Sequence, residues 1–438
     1  MVSMNRVLLV LVLLVLTACQ QAQPPAEEGT LVTVHVIDNT RDQHPSVAAV
    51  AYQPGTGEWQ MARTENYGEY FFYVPTGETR YAVAVNCLSG YLLQFYHLTL
   101  DETRSLSVYC QVPGSAAVGS MRALVKAGAG YDRITVFSDV EQVSDILTDD
   151  ILVELSALQG QERDFAFAAY DGGTTPDEMT YLKLVRGVNL APAADLGEVS
   201  FTAADAVSRS TVAGFSASVP SGYASAYKVR LLSAAGLGGL TLAAGDASGG
   251  QYVTLPNPVA GDLYAAQARA SELSASSFRE ISQLKLIPAT EAGAIAFELP
   301  SASFAPTATA EAFPEFKHLN TDAGDVLGYY LLSAPAGGAP TRANVSLVSS
   351  AWLAGSGADG YQTPDLRHLP GFDGTGLPSG ESIWTAIVIY GNATAGELVA
   401  GPLLPAETGS SLFLNIPVSR LPGLELNQIS VGAVMTIP

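Results

Sequence analysis

Apolar residues follow two different patterns along this chain. Val7 to Leu16 is an unbroken apolar run of ten residues after Arg6, which is the length of the hydrophobic segment of an export signal and too short to cross a bilayer as a helix. Beyond it, short apolar or alternating runs rich in β-branched and aromatic residues are separated by Gly, Pro, Asp and Ser. The pattern predicts a cleaved signal peptide, residues 1-18, followed by strands.

The strand-like runs recur throughout the rest of the chain, from LVTVHVI (31–37) to QISVGAVMTIP at the end. Turn residues every eight to twelve positions favour antiparallel sandwiches over βαβ units, which need long helical patterns between strands. Residues 140–152 and 262–281 are open to a helical interpretation, but the second stretch has no clean apolar stripe and favours a strand and an irregular loop. We therefore predict an all-β protein made of several antiparallel β-sandwich domains in tandem.

The length of the mature chain, about 420 residues, calls for several domains. After Pro113 and Gly114 the composition shifts towards Ala, Gly, Leu and Ser, which indicates a border. We expect a lipidated tether at 19-29, a first β-sandwich at 30-113, further sandwiches at 114-215 and 216-311, and a C-terminal β domain at 312-438.

The residues that end the apolar run carry a more specific signal. Leu16-Thr17-Ala18-Cys19 resembles the lipobox of bacterial lipoproteins. The resemblance implies that Cys19 is diacylated and holds the protein on a membrane, since each buried CH₂ contributes roughly 0.8 kcal/mol. Gln20 in the next position implies the outer membrane, if the host has one. An ordinary secretory signal with an accidental cysteine is the alternative.

Charge limits the partners of this protein. The chain has 21 Lys and Arg against 42 Asp and Glu, a formal net charge of -21. Such a surface repels nucleic acids and anionic headgroups, whose binding depends on cationic side chains. Nucleic-acid binding is thereby excluded as a function. With 48% hydrophobic and 14% charged residues, the chain also falls outside the disordered class.

Two cysteines remain besides Cys19. Cys87 and Cys110 form an even pair in an exported protein, which predicts a disulfide. Closing this loop would stabilise the fold by roughly 3 kcal/mol on the chain-entropy model. Free thiols are the alternative. A metal site is disfavoured, because two thiols with at most His97 between them do not complete a tetrahedral shell.

The segment between these features carries a family motif. In TENYGEYFFYVP the matching positions are Thr64, Gly68, Tyr70, Phe72, Val74 and Pro75. Gly68 supplies a turn conformation, and the aromatic residues alternate onto one face. Residues 30–113 thus resemble the carboxypeptidase regulatory-like, transthyretin-like domain, although Val34-His35-Val36 replaces the family's glycine-containing strand start. The resemblance implies a non-catalytic module whose two cysteines link late strands.

The sequence contains no motif of a known catalytic site. Residues 245–250, GDASGG, differ from the nucleophile loop of trypsin-like proteases because Ala247 separates Asp246 from Ser248, so we interpret them as a hairpin turn. No G-x-S-x-G, H-E-x-x-H or P-loop sequence occurs. Acidic loops at 139–150, 171–178 and 320–325 suit calcium in chemistry but not in EF-hand spacing, which favours solvated turns. We predict no cofactor and no metal.

Candidate ligand contacts concentrate in the last region. The segment TPDLRHLPGF, 363–372, resembles loops in uncharacterised bacterial lipoproteins, and aromatic residues near it suit a sugar platform. The candidates are Trp352, Tyr361, Asp365, His368, Phe372 and Trp384. Core packing is the competing interpretation for the aromatic members.

Two functions remain open. The first is a membrane-anchored, non-catalytic envelope protein, surface or periplasm-facing, that binds another envelope protein or a glycan or serves structurally. The second is an exported carboxylate-dependent hydrolase acting on polysaccharide, whose acidic residues meet only in the fold. Missing nucleophile and metal motifs favour the first, but carboxylate hydrolases leave no local motif.

Overall fold

The computed structural model of the chain describes residues 29–38, 46–87, 92–110, 118–138, 141–158, 162–190, 193–237, 240–274, 276–336, 343–400 and 422–438. The signal peptide, Cys19 and nearly all of the tether lie outside these residues. Strands make up most of the described chain, which confirms the all-β prediction. Within these ranges, no helix is long and apolar enough to cross a membrane.

The first module is a two-sheet sandwich. Its strands are β1 (Gly29–Asp38), β2 (Ala48–Pro54), β3 (Gln60–Met61), β4 (Arg63–Asn66), β5 (Glu69–Pro75), β6 (Arg80–Cys87), β7 (Leu92–Thr99) and β8 (Ser105–Cys110). One sheet has the order β4-β5-β1-β8, with β8 parallel to β1, and the other contains β3, β2, β6 and β7. Val34, Phe72, Val83 and Leu106 are among the side chains buried between the two sheets.

The family motif behaves as its residues predict. Gly68 has φ +77° in the turn between β4 and β5, a conformation that side-chain-bearing residues avoid. Tyr70, Phe72 and Val74 are buried in alternation along β5. The buried Tyr70 hydroxyl donates to the Ala48 carbonyl oxygen at 2.7 Å, so this ring also fixes the start of β2.

The predicted disulfide is confirmed. Cys87 at the end of β6 and Cys110 at the end of β8 are bonded, with their Cα atoms 5.5 Å apart. Because β6 and β8 lie in different sheets, the bond links the two layers of the first module.

The second sandwich follows as a separate pair of sheets. Its strands are β9 (Val118–Val125), β10 (Arg133–Phe137), β11 (Gln142–Ile146), β12 (Ile151–Leu158), β13 (Glu162–Tyr170), β14 (Met179–Asn189) and β15 (Ala193–Val199). The sheet orders are β11-β10-β13-β14 and β12-β9-β15. Met121, Phe165 and Phe167 lie in the core of this sandwich. The described residues 141–152 contain no helix; they include β11, a bend and the start of β12.

The next part contains β16 (Ser208–Val212), β17 (Ala224–Leu232), β18 (Leu240–Gly245), β19 (Gly250–Thr254), β20 (Leu263–Leu273) and β21 (Ser277–Pro288). Short 3-10 turns lie at Pro176–Glu178, Ala203–Asp205, Ser216–Ser218 and Ala289–Glu291. The stretch 262–281 is extended as predicted, but its loop is only a tight turn between β20 and β21. β16 pairs with β19, across the border that we predicted at 215.

The last part contains β22 (Thr307–Ala308), β23 (Glu315–Lys317), β24 (Val326–Pro335), β25 (Ala343–Ser349), helix α1 (Ser350–Ser356), β26 (Tyr361–Gln362), β27 (Gly380–Gly391), helix α2 (Ala395–Ala400) and β28 (Glu425–Ile437). Residues 343–355, ANVSLVSSAWLAG, belong to the strand-like runs of the sequence, but only 343–349 are a strand and α1 follows directly. Ser349 caps this helix, because its Oγ accepts the Trp352 N–H at 3.1 Å, and Gly357 ends it at φ +69°.

One sheet connects most of these parts. Twelve strands of the described chain pair in the order β18-β17-β20-β21-β28-β27-β24-β25-β7-β6-β2-β3. The link between the first module and the last region is a parallel pair, β7 with β25, from Leu92↔Ala343 to His97↔Val348. The first module and the parts that follow the second sandwich therefore share a backbone hydrogen-bond network, while the exact domain borders stay predictions.

Candidate functional site

The structure divides the candidate ligand contacts into core and surface residues. Phe372, Tyr361 and Trp384 are 0%, 4% and 8% exposed. Phe372 packs with Phe95 of β7, and the other two lie in the largest core. Trp352 is half-buried on α1. Tyr361, Phe372 and Trp384 therefore fill cores. They do not form an exposed sugar platform, because their rings are buried.

Asp365 and His368 are exposed in the segment that the sequence singled out. The Arg367 guanidinium holds Asp365, with Nε 2.9 Å from Oδ1, and lowers the pKa of that carboxyl. The rest of the segment packs on the first module. Asn86 Nδ2 donates to the Gly371 carbonyl oxygen at 2.7 Å, and a Cβ on Gly371, at φ +80°, would lie 2.7 Å from the Ala49 Cβ. Residues 363–372 thus form a contact between remote parts of the chain.

A neutral polar cluster lies beneath this contact. His97 Nε2 is 3.0 Å from Tyr361 Oη, which also accepts the Ser346 hydroxyl at 3.1 Å. The His97 and Trp352 ring centroids are 4.5 Å apart. Burial lowers the pKa of His97 to about 3, so the ring is neutral near pH 7. We call His97, Ser346 and Tyr361 the His97 cluster; it joins β7 to β25 and β26.

A charged cluster joins the second sandwich to Asp262, the residue before β20, and no sequence pattern indicated it. The Arg186 guanidinium lies 2.7 Å from Asp262 Oδ2 and 3.3 Å from Asp164 Oδ2. Both aspartates are almost fully buried. Backbone N–H groups of Ala234 and Val259 complete the shell of Asp262. We call Asp164, Arg186 and Asp262 the Arg186 cluster.

The acidic loop 171–178 is a turn, as predicted, whereas Gln142–Ile146 within the stretch 139–150 is the strand β11. Asp150 pairs with Lys126 at 2.6 Å, Glu178 caps the turn that starts at Thr175, and Asp139 lies outside the described residues. The GDASGG stretch is a turn in which Asp246 accepts the Ser248 N–H. It is not a hairpin turn, because β18 pairs with β17 while β19 pairs with β16.

A concave site lies elsewhere, on the twelve-stranded sheet at one end of β21, β28 and β27. It is an open cleft of about 430 Å³. Gln283, Asn427 and Tyr390 are neighbours across the three strands and form its floor together with Glu425. Its rim is the segment 298–302 and Asp322. Asp322 comes from the acidic loop 320–325, which the sequence analysis interpreted as a solvated turn, so none of the cleft residues was predicted as a site residue.

Hydrogen bonds fix the floor of this cleft. Gln283 Oε1 accepts the Glu298 N–H at 3.0 Å, and its Nε2 donates to Glu425 Oε1 at 2.8 Å and to Asn427 Oδ1 at 3.1 Å. Lys285 Nζ lies 3.4 Å from Glu425 Oε1. The Gln283 amide is therefore oriented by its partners, and Glu425 is partly neutralised.

The rim is more exposed and more acidic than the floor. Glu298 and Asp322 are exposed, and Asp322 Oδ1 accepts the Ser303 N–H. Burial, together with the charge of Asp322, raises the pKa of Tyr390 to about 12, so its hydroxyl remains a donor at neutral pH. Among the described residues, no group of three His, Cys, Asp or Glu is arranged to hold a metal ion.

Comparisons with known proteins assign no family. No family model and no curated protein matches this chain. Among solved structures, the TIE protein of Bacillus anthracis is similar at 7% identity and a TM-score of 0.15, over 62% of this chain and 51% of that one. The glycogen-degrading pneumococcal virulence factor SpuA is similar at 6% identity and a TM-score of 0.15, over 85% of this chain and 37% of that one. The FN1–FN3 domains of chicken CNTN1 are similar at 10% identity and a TM-score of 0.16, over 71% of this chain and 88% of that one.

This chain thus spans about half of the TIE structure and a little over a third of the SpuA structure. Likenesses with TM-scores this low assign neither an activity nor a partner to it.

Proposed function

We propose that this protein is a lipid-anchored, non-catalytic binding or structural protein of the bacterial cell envelope. The observation that carries the proposal is the pairing of β7 with β25. Because the tether enters β1 directly, an anchor at Cys19 would position the first module. The shared sheet would then place the C-terminal region and its cleft with it.

Export is supported by the chemistry of the first module. The Cys87–Cys110 bond links two sheets, and disulfides of this structural kind persist in oxidising compartments outside the cytosol. The signal pattern before Cys19 agrees with that location. The lipobox resemblance adds the membrane anchor, and Gln20 adds the outer membrane of a host that has one.

A structural or binding role is supported by what the charged groups do. The buried carboxylates Asp164 and Asp262 are occupied by Arg186, and Asp365 by Arg367. His97 is neutral, buried and hydrogen-bonded to Tyr361. Each of these groups already has a partner within the fold, which suits a stable scaffold better than proton transfer.

The proposal is tested by fractionating cells of the native host that express the chain or its Cys19→Ala variant. We expect the parent chain to sediment with membranes and to incorporate an alkyne-labelled fatty acid. The variant should lose the label and appear in the soluble exported fraction. Membrane association that persists unchanged in Cys19→Ala, or a parent chain without label, would contradict the anchor.

An exported carboxylate-dependent hydrolase acting on polysaccharide is a second candidate, and the cleft favours it. Glu298, Asp322 and Glu425 come from three separate segments and line one open space, as the two carboxylates of a glycosidase must. Its test is the release of reducing ends from soluble polysaccharide by the purified chain. Release that Glu298→Gln or Asp322→Asn abolishes would establish the hydrolase and replace the non-catalytic proposal.

A further inference from the structure

The cleft over β21, β28 and β27 has the size and the composition of a ligand site. Its volume of about 430 Å³ falls within the usual range for bound small molecules, roughly 300–1,000 Å³. Leu299 and Pro300 are buried behind this lining, so the surface that a ligand meets is mainly polar. The cleft is open, so it suits a segment of a longer chain that enters and leaves.

The floor presents groups of fixed orientation. Gln283 is only 3% exposed, and all three of its amide hydrogen bonds go to neighbouring cleft residues. These bonds hold the Asn427 amide and the Glu425 carboxylate beside Tyr390. Because this arrangement exists before a ligand arrives, binding does not have to order these side chains.

The lining combines donors and acceptors. Tyr390 remains protonated because its pKa is raised, and the Asn427 amide and Ser301 hydroxyl both donate and accept. Glu298 and Asp322 accept only. Hydroxyl groups both donate and accept, so a ligand with several neighbouring hydroxyls can satisfy this mixture.

A cation fits the cleft less well. A metal ion or an ammonium group needs acceptors alone, whereas the Tyr390 hydroxyl and the amide N–H groups are donors. Lys285 already contacts Glu425, which lowers the negative charge of the floor. The described residues also provide no set of metal ligands.

We propose that this cleft binds an uncharged, polyhydroxylated chain, that is, a segment of an oligosaccharide. The inference rests on the proposed function for the presence of such a ligand, because an envelope protein faces glycans. Glu298 and Asp322 accept hydroxyl groups from the rim, while Asn427 and Tyr390 contact the ligand from the floor.

The test is isothermal titration calorimetry with the full mature chain in detergent. Two neutral probes are titrated, a β-1,4-linked N-acetylglucosamine tetramer and maltotetraose, and spermidine serves as the cationic probe. The cleft variants are Glu298→Gln and Asn427→Ala. The matched control is Glu381→Gln, an exposed carboxylate at the opposite end of the same β27 that carries Tyr390.

We expect at least one tetrasaccharide to bind the parent chain. Glu298→Gln should raise Kd about tenfold, because it removes a hydrogen bond to a charged acceptor, and Glu381→Gln should leave Kd within about twofold. Glu298 is exposed and its backbone N–H, not its side chain, contacts Gln283, so this variant keeps the fold. A thermal melt checks that expectation.

Three results would overturn the inference. They are binding of neither tetrasaccharide, binding that the cleft variants leave unchanged, and binding of spermidine alone. None of them depends on Cys19, so a failure here leaves the membrane fractionation result intact. Conversely, a soluble parent chain in fractionation would remove the anchor without removing a measured sugar affinity.

Discussion

The Arg186 cluster and the His97 cluster both join remote parts of the chain, but they do so with different chemistry. In the Arg186 cluster, two buried carboxylates share one guanidinium, and backbone N–H groups complete the shell. In the His97 cluster, neutral side chains form a short hydrogen-bonded chain, and His97 Nδ1 has no partner among the described residues.

The difference shows how strictly burial constrains each kind of group. An unpaired buried charge costs several kcal/mol, about 3–5 kcal/mol when one partner of a pair is removed. Every carboxylate oxygen in the Arg186 cluster therefore has a donor. A neutral imidazole loses only about 1–3 kcal/mol per unsatisfied atom, so the His97 cluster tolerates one.

Removing the guanidinium should have the largest effect. Arg186→Met leaves Asp164 and Asp262 buried without a cation, and we expect the free energy of unfolding to fall by about 3–5 kcal/mol. Urea denaturation followed by tyrosine fluorescence measures the change. The control is Arg122→Met, which removes an exposed pair with Glu154 and should cost less than about 1 kcal/mol. Equal losses in the two variants would contradict the role of the Arg186 cluster.

Breaking the neutral cluster should cost less. Tyr361→Phe keeps the ring but leaves His97 Nε2 and Ser346 Oγ without their common partner. We expect a loss of about 2–3 kcal/mol, because two buried polar atoms become unsatisfied. Tyr67→Phe, on an exposed ring, is the matched control and should be neutral. A Tyr361→Phe variant as stable as the parent would show that the hydrogen bonds contribute nothing.

Acid should weaken the His97 cluster while Arg186 stays protonated. The pKa of His97 falls from 6.5 to about 3 on folding. Between these values the unfolded state binds the proton and the folded state does not, so stability is present above pH 6.5 and is lost as the pH falls towards 3. The loss between pH 7 and pH 5 is about 2 kcal/mol.

The measurement is the difference in unfolding free energy between the parent chain and His97→Gln at each pH, since other groups titrate in both. The difference in unfolding free energy between the two proteins should be about 2 kcal/mol smaller at pH 5 than at pH 7. A difference that does not change with pH would show that His97 is not held neutral by the fold.

The smallest expected effect belongs to the surface contact above the His97 cluster. Asn86→Ala removes the bond to the Gly371 carbonyl oxygen, and we expect a loss of about 0.5–1 kcal/mol. Limited proteolysis within 363–372 should become faster in this variant. Asn66→Ala, which removes an exposed bond to Glu69, controls for a general loss of surface polarity. Unchanged cleavage would mean that Phe372 alone holds the segment.

The sequence alone determined the features that depend on neighbouring residues. Alternating side chains in β5, the turn at Gly68 and the all-β class all follow from local periodicity and turn chemistry. The pairing of Cys87 with Cys110 followed from counting cysteines in an exported chain. Helix α1 was missed, because Val345, Leu347 and Val348 before Ser349 gave the segment the pattern of a strand.

Only the tertiary structure decided which distant segments meet. The pairing of β7 with β25 depends on register across about 250 residues, and a strand pattern does not specify its neighbour. For the same reason the sequence analysis interpreted the loop of Asp322 as a solvated turn and did not place Gln283, Asn427 or Tyr390 beside it. Burial of Tyr361, Phe372 and Trp384 was undecided because an aromatic residue looks the same in a core and on a binding surface until the covering layer is known.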